Sequence, residues 1–336
     1  MPIRFAINGV GRIGRALIRV ASQRPGLELV AVNDLASPDQ LAPLLARDSL
    51  HGKFPGQVAC DRDGELTING QRVASFQEPE AEKIPWLDLA PTIVVDATGM
   101  AKTRQKTGRL RRGPVDKVIV SANAEDLDLT LCLGINNDSY DPESHHLLSA
   151  ASCTTNCLAP LVEVLNRGFG LRHGLFNTVY SYNNDQRLLS YPHTDPRRAR
   201  AAALNMIPTT TSASQAVHRV LPGFAGRLDG FAVRVPTPDV SLIDLVATLT
   251  EKPTPTEINN AFTRAASEEL AGILTVTEEE LVSMDFLGDP HSAIVDLPLT
   301  TEVDKSLYRV VAWYDNEWGH ANRLADLVGL IGGESS

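Results

Sequence analysis

Cysteine is scarce in this sequence, and its scarcity excludes two classes of site. The 336 residues include only four cysteines, too few for the disulfide framework that holds small secreted domains together. Cys153 and Cys157 are four residues apart, but no second pair of cysteines or histidines lies nearby at ligand spacing. We therefore predict neither a disulfide framework nor a metal site.

Long apolar runs and an excess of basic residues are also missing. No apolar run approaches the ~20 residues that a membrane-spanning helix needs, and residues 1–8 show no charged-then-apolar signal pattern. The formal net charge is −10, which argues against nucleic acid as the main partner, because phosphate backbones demand clustered Lys and Arg. We expect a cytoplasmic protein that binds neither membrane nor nucleic acid.

What the sequence does contain is a change of pattern near its middle. The first third alternates apolar strands with helical spacing, as in residues 3–7 and 11–24, and this alternation predicts a parallel, doubly wound sheet. After Cys153, longer strands rich in Val, Ile and Leu predict an α+β domain with a largely antiparallel sheet. A final amphipathic helix returns to the first part. The predicted domains are residues 1–152 with 318–336, and residues 153–317.

A glycine motif follows the first predicted strand and opens the first helix. Asp34 lies 20 residues beyond Gly14, at the end of the next strand. Glycines permit a tight turn and close backbone approach, and a helix N-terminus attracts a pyrophosphate. Asp34 can accept hydrogen bonds from ribose hydroxyls and disfavours a 2′-phosphate, which indicates NAD. The alternative is a glycine-rich turn that binds no ligand. The motif reads Gly9-Val10-Gly11-Arg12-Ile13-Gly14, and Arg12 and Ile13 are candidates to line the phosphates.

Cys153 lies where a strand is predicted to meet a helix. Unpaired amide groups and the helix dipole at such a junction stabilise a thiolate and lower the thiol pKa. A thiolate attacks an aldehyde to give a hemithioacetal, hydride leaves to NAD, and phosphate or water opens the resulting thioester. A dinucleotide fold with this cysteine therefore indicates an aldehyde dehydrogenase that forms an acyl-enzyme. The spacing alone fits a buried structural cysteine equally well.

Longer motifs show that the whole chain resembles the glyceraldehyde-3-phosphate dehydrogenase family. The resemblance implies a Rossmann NAD-binding domain, an α+β catalytic domain, assembly as a homotetramer, and two anion sites, for the substrate phosphate and for attacking inorganic phosphate. The motifs that carry it are residues 7–15, 151–160, 195–211, 234–238 and 313–319.

The same resemblance implies roles for individual side chains. Cys153 matches the nucleophile, Ser121 lies in the wall of the cofactor pocket, and Asn316 holds the nicotinamide carboxamide. Arginine forks and hydroxyls suit the anion sites, because they bind phosphate oxygens in a fixed geometry. Outside these motifs, Arg198 and Arg234 would be interpreted as surface charge or ion pairs. The residues that match the anion sites are Ser152, Thr154, Asp185, Arg198, Thr211 and Arg234.

The sequence departs from the family pattern at four positions. Tyr180 falls where the family carries its catalytic histidine, Asn183 replaces a threonine, Ser212 a glycine and Asn123 a proline. Histidine titrates near neutrality, whereas tyrosine has a reference pKa near 10. Tyr180 can donate a hydrogen bond to a developing oxyanion, but it is a poor base. Since a positioned general base contributes ~10²–10⁴-fold in rate, we predict altered or reduced activity. We interpret His193 as structural.

Three functional hypotheses stay open at this point. The first is NAD-dependent, phosphorylating oxidation of a phosphorylated aldehyde. Glyceraldehyde 3-phosphate is the leading substrate, and erythrose 4-phosphate the second because Asn183 and Ser212 are altered. Another is a catalytically weak NAD-binding paralogue with a regulatory or redox-sensing role, motivated by Tyr180 and an oxidisable thiol. A third has water instead of phosphate open the thioester. Retention of the anion-site residues favours the first.

Overall fold

The computed structural model describes residues 1–333, and the chain forms two compact units. The N-terminal unit contains Met1–Leu131, Asn137–Ala151 and the residues from His320 onward, and the second unit contains Cys132–Asn136 and Ser152–Gly319. Residues 334–336, the end of the segment 318–336 predicted to belong to the first domain, lie outside the described residues.

A nine-stranded sheet forms the centre of the N-terminal unit. Its strands lie in the order β10-β11-β9-β8-β1-β2-β7-β6-β5. Pairing is parallel from β10 to β7 and antiparallel from β7 to β5. The elements are β1 (Ile3–Asn8), α1 (Arg12–Ala21), β2 (Leu27–Asn33), α2 (Pro38–Ala46), the hairpin of β3 (Arg47–Asp48) and β4 (Gly52–Lys53), β5 (Val58–Cys60), β6 (Leu66–Ile68), β7 (Gln71–Phe76), β8 (Ile93–Asp96), α3 (Arg104–Gly108), β9 (Lys117–Val120), β10 (Leu129–Thr130) and β11 (Leu147–Ser149).

The second unit has a mostly antiparallel sheet of eight strands. The order is β13-β14-β12-β15-β19-β17-β16, and β18 pairs with β19. Only β12 with β14 and β16 with β17 pair in parallel. The elements are α4 (Cys153–Phe169), β12 (Leu171–Tyr180), β13 (Ile207–Thr209), α5 (Ala213–Val220), β14 (Leu228–Arg234), β15 (Ser241–Leu249), α6 (Pro255–Ser267), β16 (Leu274–Thr277), β17 (Ala293–Asp296), β18 (Thr301–Val303) and β19 (Leu307–Tyr314), after which α7 (Trp318–Ile331) ends the described chain.

Helix α4 has a defined start and a defined end. The Ser152 hydroxyl accepts a hydrogen bond from the amide of Thr155 at 3.2 Å and so caps the first turn. Gly170 ends the helix in the left-handed region, with φ 67°, which glycine adopts without a steric penalty. These two residues fix where Cys153 lies. The helix is anchored in the core of the unit through Leu158, Leu161 and Leu165.

The predicted fold class is confirmed. The N-terminal unit has the parallel sheet of a Rossmann domain, and the second unit is α+β with a largely antiparallel sheet. Helix α6 (Pro255–Ser267) connects two strands of this sheet and has a defined start. Thr254 and Glu257 form a capping box at its start, each side chain accepting from the other's amide. Within residues 1–333, no helix combines the length and apolarity needed to cross a membrane.

Candidate active site

The glycine motif forms the turn between β1 and α1. Gly9 has φ 95°, and a Cβ there would lie 2.8 Å from the amide nitrogen of Thr98. A Cβ on Gly14 would lie 2.1 Å from the carbonyl oxygen of Gly9. Both positions therefore require glycine for backbone packing. Gly11 differs, because an added Cβ would meet no atom within 4 Å, so its backbone is left open to a ligand. Arg12 and Ile13, both half-buried, begin α1.

A cavity of about 700 Å³ opens at this turn. The Asp34 carboxylate lies on its wall and accepts hydrogen bonds from the amides of Val10 at 2.6 Å and Ala36 at 2.9 Å. Leu35 and Met100 leave 70% and 68% of their surfaces exposed and add apolar wall. The volume and mixed lining suit a nucleotide-sized ligand. Other lining residues include Asn8, Gly9, Gly11, Asn33, Asp96 and Thr98.

Three buried polar residues beside the cavity were missed by the sequence analysis. Asn8, Asn33 and Asp96 are the last residues of β1, β2 and β8. The Asn8 amide donates to Asp96 at 2.8 Å and accepts from Asn33 at 2.8 Å. Burial raises the pKa of Asp96, although bonds from Thr98 and Asn8 oppose the rise. Polar residues that end three neighbouring parallel strands were the available signal, because such ends meet at one edge.

Ser121 is held through its backbone and does not line this cavity. Its amide donates to the carbonyl oxygen of Asp96 at 2.9 Å, and its carbonyl oxygen lies 3.1 Å from His320 Nε2. Burial lowers the pKa of His320 to about 4. The imidazole is therefore neutral at pH 7, and Nε2 carries the proton that it donates to Ser121.

Cys153 is the first residue of α4, as predicted, but its thiol is not acidified. The residue is half-buried, yet its sulfur lies among protein atoms, and that burial raises the thiol pKa to about 11. Hydrogen bonds from Thr154 and the charge of Arg234 oppose the rise, whereas Asp239 adds to it. The expectation of a lowered pKa was therefore wrong, because burial outweighs the helix-terminal donors.

Tyr180, the last residue of β12, is hydrogen-bonded at its hydroxyl on two sides. Its oxygen lies 2.8 Å from Thr154 Oγ1 and 3.0 Å from Thr211 Oγ1. Thr154 Oγ1 also lies 3.1 Å from the hydroxyl of buried Tyr314. Burial raises the pKa of Tyr180, so the phenol stays protonated at neutral pH. The residue that falls at the histidine position is thus a hydrogen-bond donor here, and not a base.

Arg234 lies beside Tyr180 because the two residues are partners in the parallel pairing of β12 with β14. Its guanidinium carbon is 4.7 Å from the centre of the Tyr180 ring, a cation–π contact. Nη1 donates to the carbonyl oxygen of Ser181 at 2.6 Å. Nε is buried and has no hydrogen-bond partner among the described residues. Burial lowers the pKa of Arg234, but a guanidinium keeps its charge. The group retains capacity for an anion.

Arg198 is engaged by carboxylates and hydroxyls. Its Nη1 lies 3.1 Å from Asp185, its Nε 3.4 Å from Asp195, and Nε and Nη2 donate to Thr209 at 2.9 and 2.7 Å. The ring of His193 lies 3.3 Å from Asp185 through Nε2 and accepts the amide proton of Asp195 at Nδ1. Nε2 therefore carries the proton. An incoming anion would compete with two carboxylates for Arg198.

Asn316 has its amide oriented by two serines. Its Oδ1 accepts from the hydroxyl of Ser181 at 3.0 Å and from that of Ser241 at 2.8 Å. The Ser241 hydroxyl in turn accepts the amide proton of Ser181 at 3.3 Å. These contacts place the oxygen of the side chain against the serines, and the NH₂ group points away from them.

Three further predicted residues are placed as follows. Ser152 caps α4. Asn183 is exposed, and its side chain accepts from the amide of Asp185 at 3.0 Å, which closes a turn. Ser212 is exposed immediately before α5. The structure therefore brings Cys153, Thr154, Tyr180, Thr211 and Arg234 together, with Asp185 and Arg198 in a second cluster.

Two family models match this chain. Residues 3–104 match the model described as glyceraldehyde 3-phosphate dehydrogenase, NAD binding domain, and residues 152–316 match its C-terminal domain. Among similar proteins, the glyceraldehyde-3-phosphate dehydrogenase of Geobacillus stearothermophilus is 46% identical, over 98% of both chains. Glyceraldehyde-3-phosphate dehydrogenase 1 of Bacillus subtilis strain 168 is also 46% identical, over 98% of both. The Streptomyces coelicolor glyceraldehyde-3-phosphate dehydrogenase is 45% identical, over 99% of this chain and 100% of its own.

Proposed function

This chain belongs to the glyceraldehyde 3-phosphate dehydrogenase family, and from that premise we propose that it oxidises a phosphorylated aldehyde with NAD, glyceraldehyde 3-phosphate being the first candidate. Cys153 adds to the aldehyde carbonyl to form a hemithioacetal, bound NAD would accept the hydride that its oxidation to a thioester releases, and inorganic phosphate opens the thioester to an acyl phosphate. The observation that carries the proposal is the thiol at the start of α4 beside the half-buried Arg234, whose buried Nε has no hydrogen-bond partner among the described residues.

The mechanism follows from what each side chain is able to do. Arg234 and Arg198 supply the positive charge for the two phosphate groups, and Arg198 has to exchange a carboxylate for a phosphate. Asn316 presents its NH₂ group to the nicotinamide carboxamide. Tyr180 is protonated, so once an aldehyde is bound its hydroxyl can turn from Thr154 to the oxygen that becomes negative when the carbonyl is attacked. The thiol proton has no imidazole to receive it at this position and leaves to solvent.

Acylation of Cys153 is the test of this proposal. The protein is mixed with NAD and glyceraldehyde 3-phosphate without inorganic phosphate, quenched in acid, digested and analysed by mass spectrometry. We expect a phosphoglyceroyl adduct on the peptide containing Cys153 and none in Cys153→Ala. An unmodified peptide despite NADH formation would remove Cys153 as the nucleophile. Erythrose 4-phosphate in the same assay ranks the two substrates by kcat/KM.

The acceptor of the acyl group is a separate question, because one contact favours water. Tyr180 already holds the hydroxyls of Thr154 and Thr211, two of the groups that match the anion sites, and we place the attacking phosphate at these two hydroxyls. Phosphate therefore has to displace the phenol, whereas water does not. ³¹P NMR of the products separates the two outcomes. An acyl phosphate that forms only with added phosphate supports phosphorolysis, and a carboxylate formed at the same rate without phosphate supports hydrolysis.

The redox-sensing hypothesis lacks support from the thiol itself. Peroxide oxidises thiolates, and burial raises the pKa of Cys153 to about 11, so the thiol is protonated at neutral pH. The catalytic hypothesis is less affected, because a small thiolate fraction still sustains slow acylation.

Asp34→Asn is expected to raise the KM for NAD about tenfold, since it replaces charge-assisted hydrogen bonds to the ribose with weaker neutral ones. The KM for NADP should fall, because the repulsive charge is gone. Steady-state kinetics with both cofactors measure the change. Asp63→Asn, an equal charge change on an exposed turn, is the matched control and should leave both values unaltered. An unchanged KM for NAD in Asp34→Asn would contradict the assignment.

We also propose a homotetramer in the cytoplasm. Residues 188–206 of the second unit expose several large apolar side chains, which favours a covering partner. The occupant proposed is a second copy of this chain. Light scattering after size-exclusion chromatography tests it, and a monomer at micromolar concentration would exclude the assembly. The segment exposes Leu188 (85%), Leu189 (77%), Tyr191 (61%), Leu204 (80%) and Met206 (75%).

A further inference from the structure

The hydroxyl of Thr154 is the centre of a buried cluster next to the nucleophile. The hydroxyls of Tyr180 and Tyr314 lie 2.8 and 3.1 Å from it, and Cys153 Sγ lies 3.9 Å from it. Thr154 and Tyr314 are 2% and 1% exposed, so water has little access to them. These distances make Thr154 the link between two phenols and the sulfur.

The donors available allow one arrangement in which every hydroxyl proton of the cluster has an acceptor. The Thr211 hydroxyl accepts from the amide of Ala213 at 3.1 Å, which leaves its own proton for the oxygen of Tyr180. The Tyr180 proton then points to Thr154 Oγ1. A hydroxyl oxygen can accept two bonds and donate one. If both phenols donate to Thr154, its own proton is directed at Cys153 Sγ.

We propose that Thr154 donates its hydroxyl proton in a hydrogen bond to the Cys153 sulfur as the thiolate forms, and that Tyr180 and Tyr314 are positioning residues that polarise this donor. The inference deepens the proposed function and rests on Cys153 as its nucleophile. The S–H bond breaks and its proton goes to solvent, because the hydroxyls only donate. The negative charge remains on sulfur, where the oriented O–H dipole of Thr154 stabilises it. Successive hydroxyls strengthen each other's donation.

The two charged groups that act on the sulfur, Arg234 and Asp239, are the same in every variant below. Arg234 favours the thiolate and Asp239 disfavours it. A shift among hydroxyl variants therefore reports the hydroxyl cluster and not the surrounding charge. The groups that act on Cys153 or are acted on by it are Arg234, Asp239, Tyr180, Tyr314 and Cys157.

The experiment measures alkylation of Cys153 by iodoacetamide between pH 7 and 11, without NAD or aldehyde, and quantifies the peptide by mass spectrometry. In Thr154→Val the profile of alkylation rate against pH should move about one pH unit to higher pH, because a hydrogen bond to a charged group is lost. The reaction is then about tenfold slower at each pH below the thiol pKa. Tyr314→Phe and Tyr180→Phe should each slow the reaction about threefold. Thr154→Ser keeps the hydroxyl and should stay close to the parent protein.

The digest contains its own control, because Cys60 is also a free thiol and is far from these substitutions in sequence. Its alkylation should not change. A Thr154→Val profile that overlies the parent, or a Thr154→Ser profile that matches Thr154→Val, would overturn the proposal. If Thr154→Val fails to fold, the Tyr314→Phe profile decides alone. Alkylation is measured without substrate, so it tests the hydrogen bond independently of turnover. A shifted alkylation profile in a protein that forms no NADH in the enzyme assay would refute the proposed function but not the hydrogen bond.

Discussion

Tyr180→His is expected to raise the rate of NADH formation at pH 7 by about 10²-fold, the lower part of the ~10²–10⁴-fold range for a positioned general base. The phenol at this position is protonated because burial raises its pKa. An imidazole titrates near neutrality, so it would accept the proton that the hemithioacetal loses with hydride and would pair with the thiolate. The guanidinium of Arg234 lies 4.7 Å from the ring centre and would disfavour a second positive charge, which keeps the imidazole available as a base.

Stopped-flow measurement of the first turnover checks this, because it separates acylation from product release. Tyr180→Phe has neither base nor hydroxyl and should not gain activity. Val303→His places an imidazole at an exposed site of β18, 62% accessible, and should leave the rate unaltered. A Tyr180→His variant that acylates no faster than the parent protein would show that the missing base does not limit this reaction.

The unsubstituted protein should acylate about tenfold faster with each pH unit between pH 7 and 9. Burial raises the pKa of the Cys153 thiol to about 11, compared with a reference value near 8.5 for an exposed thiol. At a pKa of about 11, about 10⁻⁴ of the thiol is ionised at pH 7 and about 10⁻² at pH 9. The rate rises with pH because the protonated thiol is unreactive. Its raised pKa means that the thiolate nucleophile forms only toward alkaline pH.

Burst kinetics over this pH range give the profile, and NAD binding followed by protein fluorescence is the control that should stay level. Tyr180→His should flatten the profile, because the imidazole shares the proton with the thiol near neutrality. A parent profile that is already level from pH 7 to 8 would mean that Cys153 ionises near neutral pH when ligands are bound, contrary to the raised pKa.

The sequence contained enough information to predict the elements that carry the site. Ser152 and Gly170 are local signals, and they do bound α4. Gly9 and Gly14 are likewise required by short-range packing in the turn after β1. These features depend on residues close in the chain, so patterns of residue type were sufficient.

The contacts that decide the chemistry were not predictable in this way. Thr154 contacts Tyr180 across 26 residues and Tyr314 across 160, and no periodicity encodes such contacts. The expected fall in the pKa of Cys153 was wrong for the same reason, because burial is a property of the packed unit. Asn8 and Asp96 are a different case, since their positions at strand ends were visible in the sequence.

The parallel pairing of Tyr180 with Arg234 has a consequence for how the chain tolerates insertions and deletions. Side chains alternate between the two faces of a strand, so a one-residue frame error in β12 turns every side chain to the opposite face. Val179 or Ser181 would then take the place of the phenol, and the guanidinium would face an unsuitable neighbour. In a systematic scan of single-residue indels, residues 171–180 should therefore be intolerant even in variants that still fold. The nearby loop 225–227, outside both strands, should accept them.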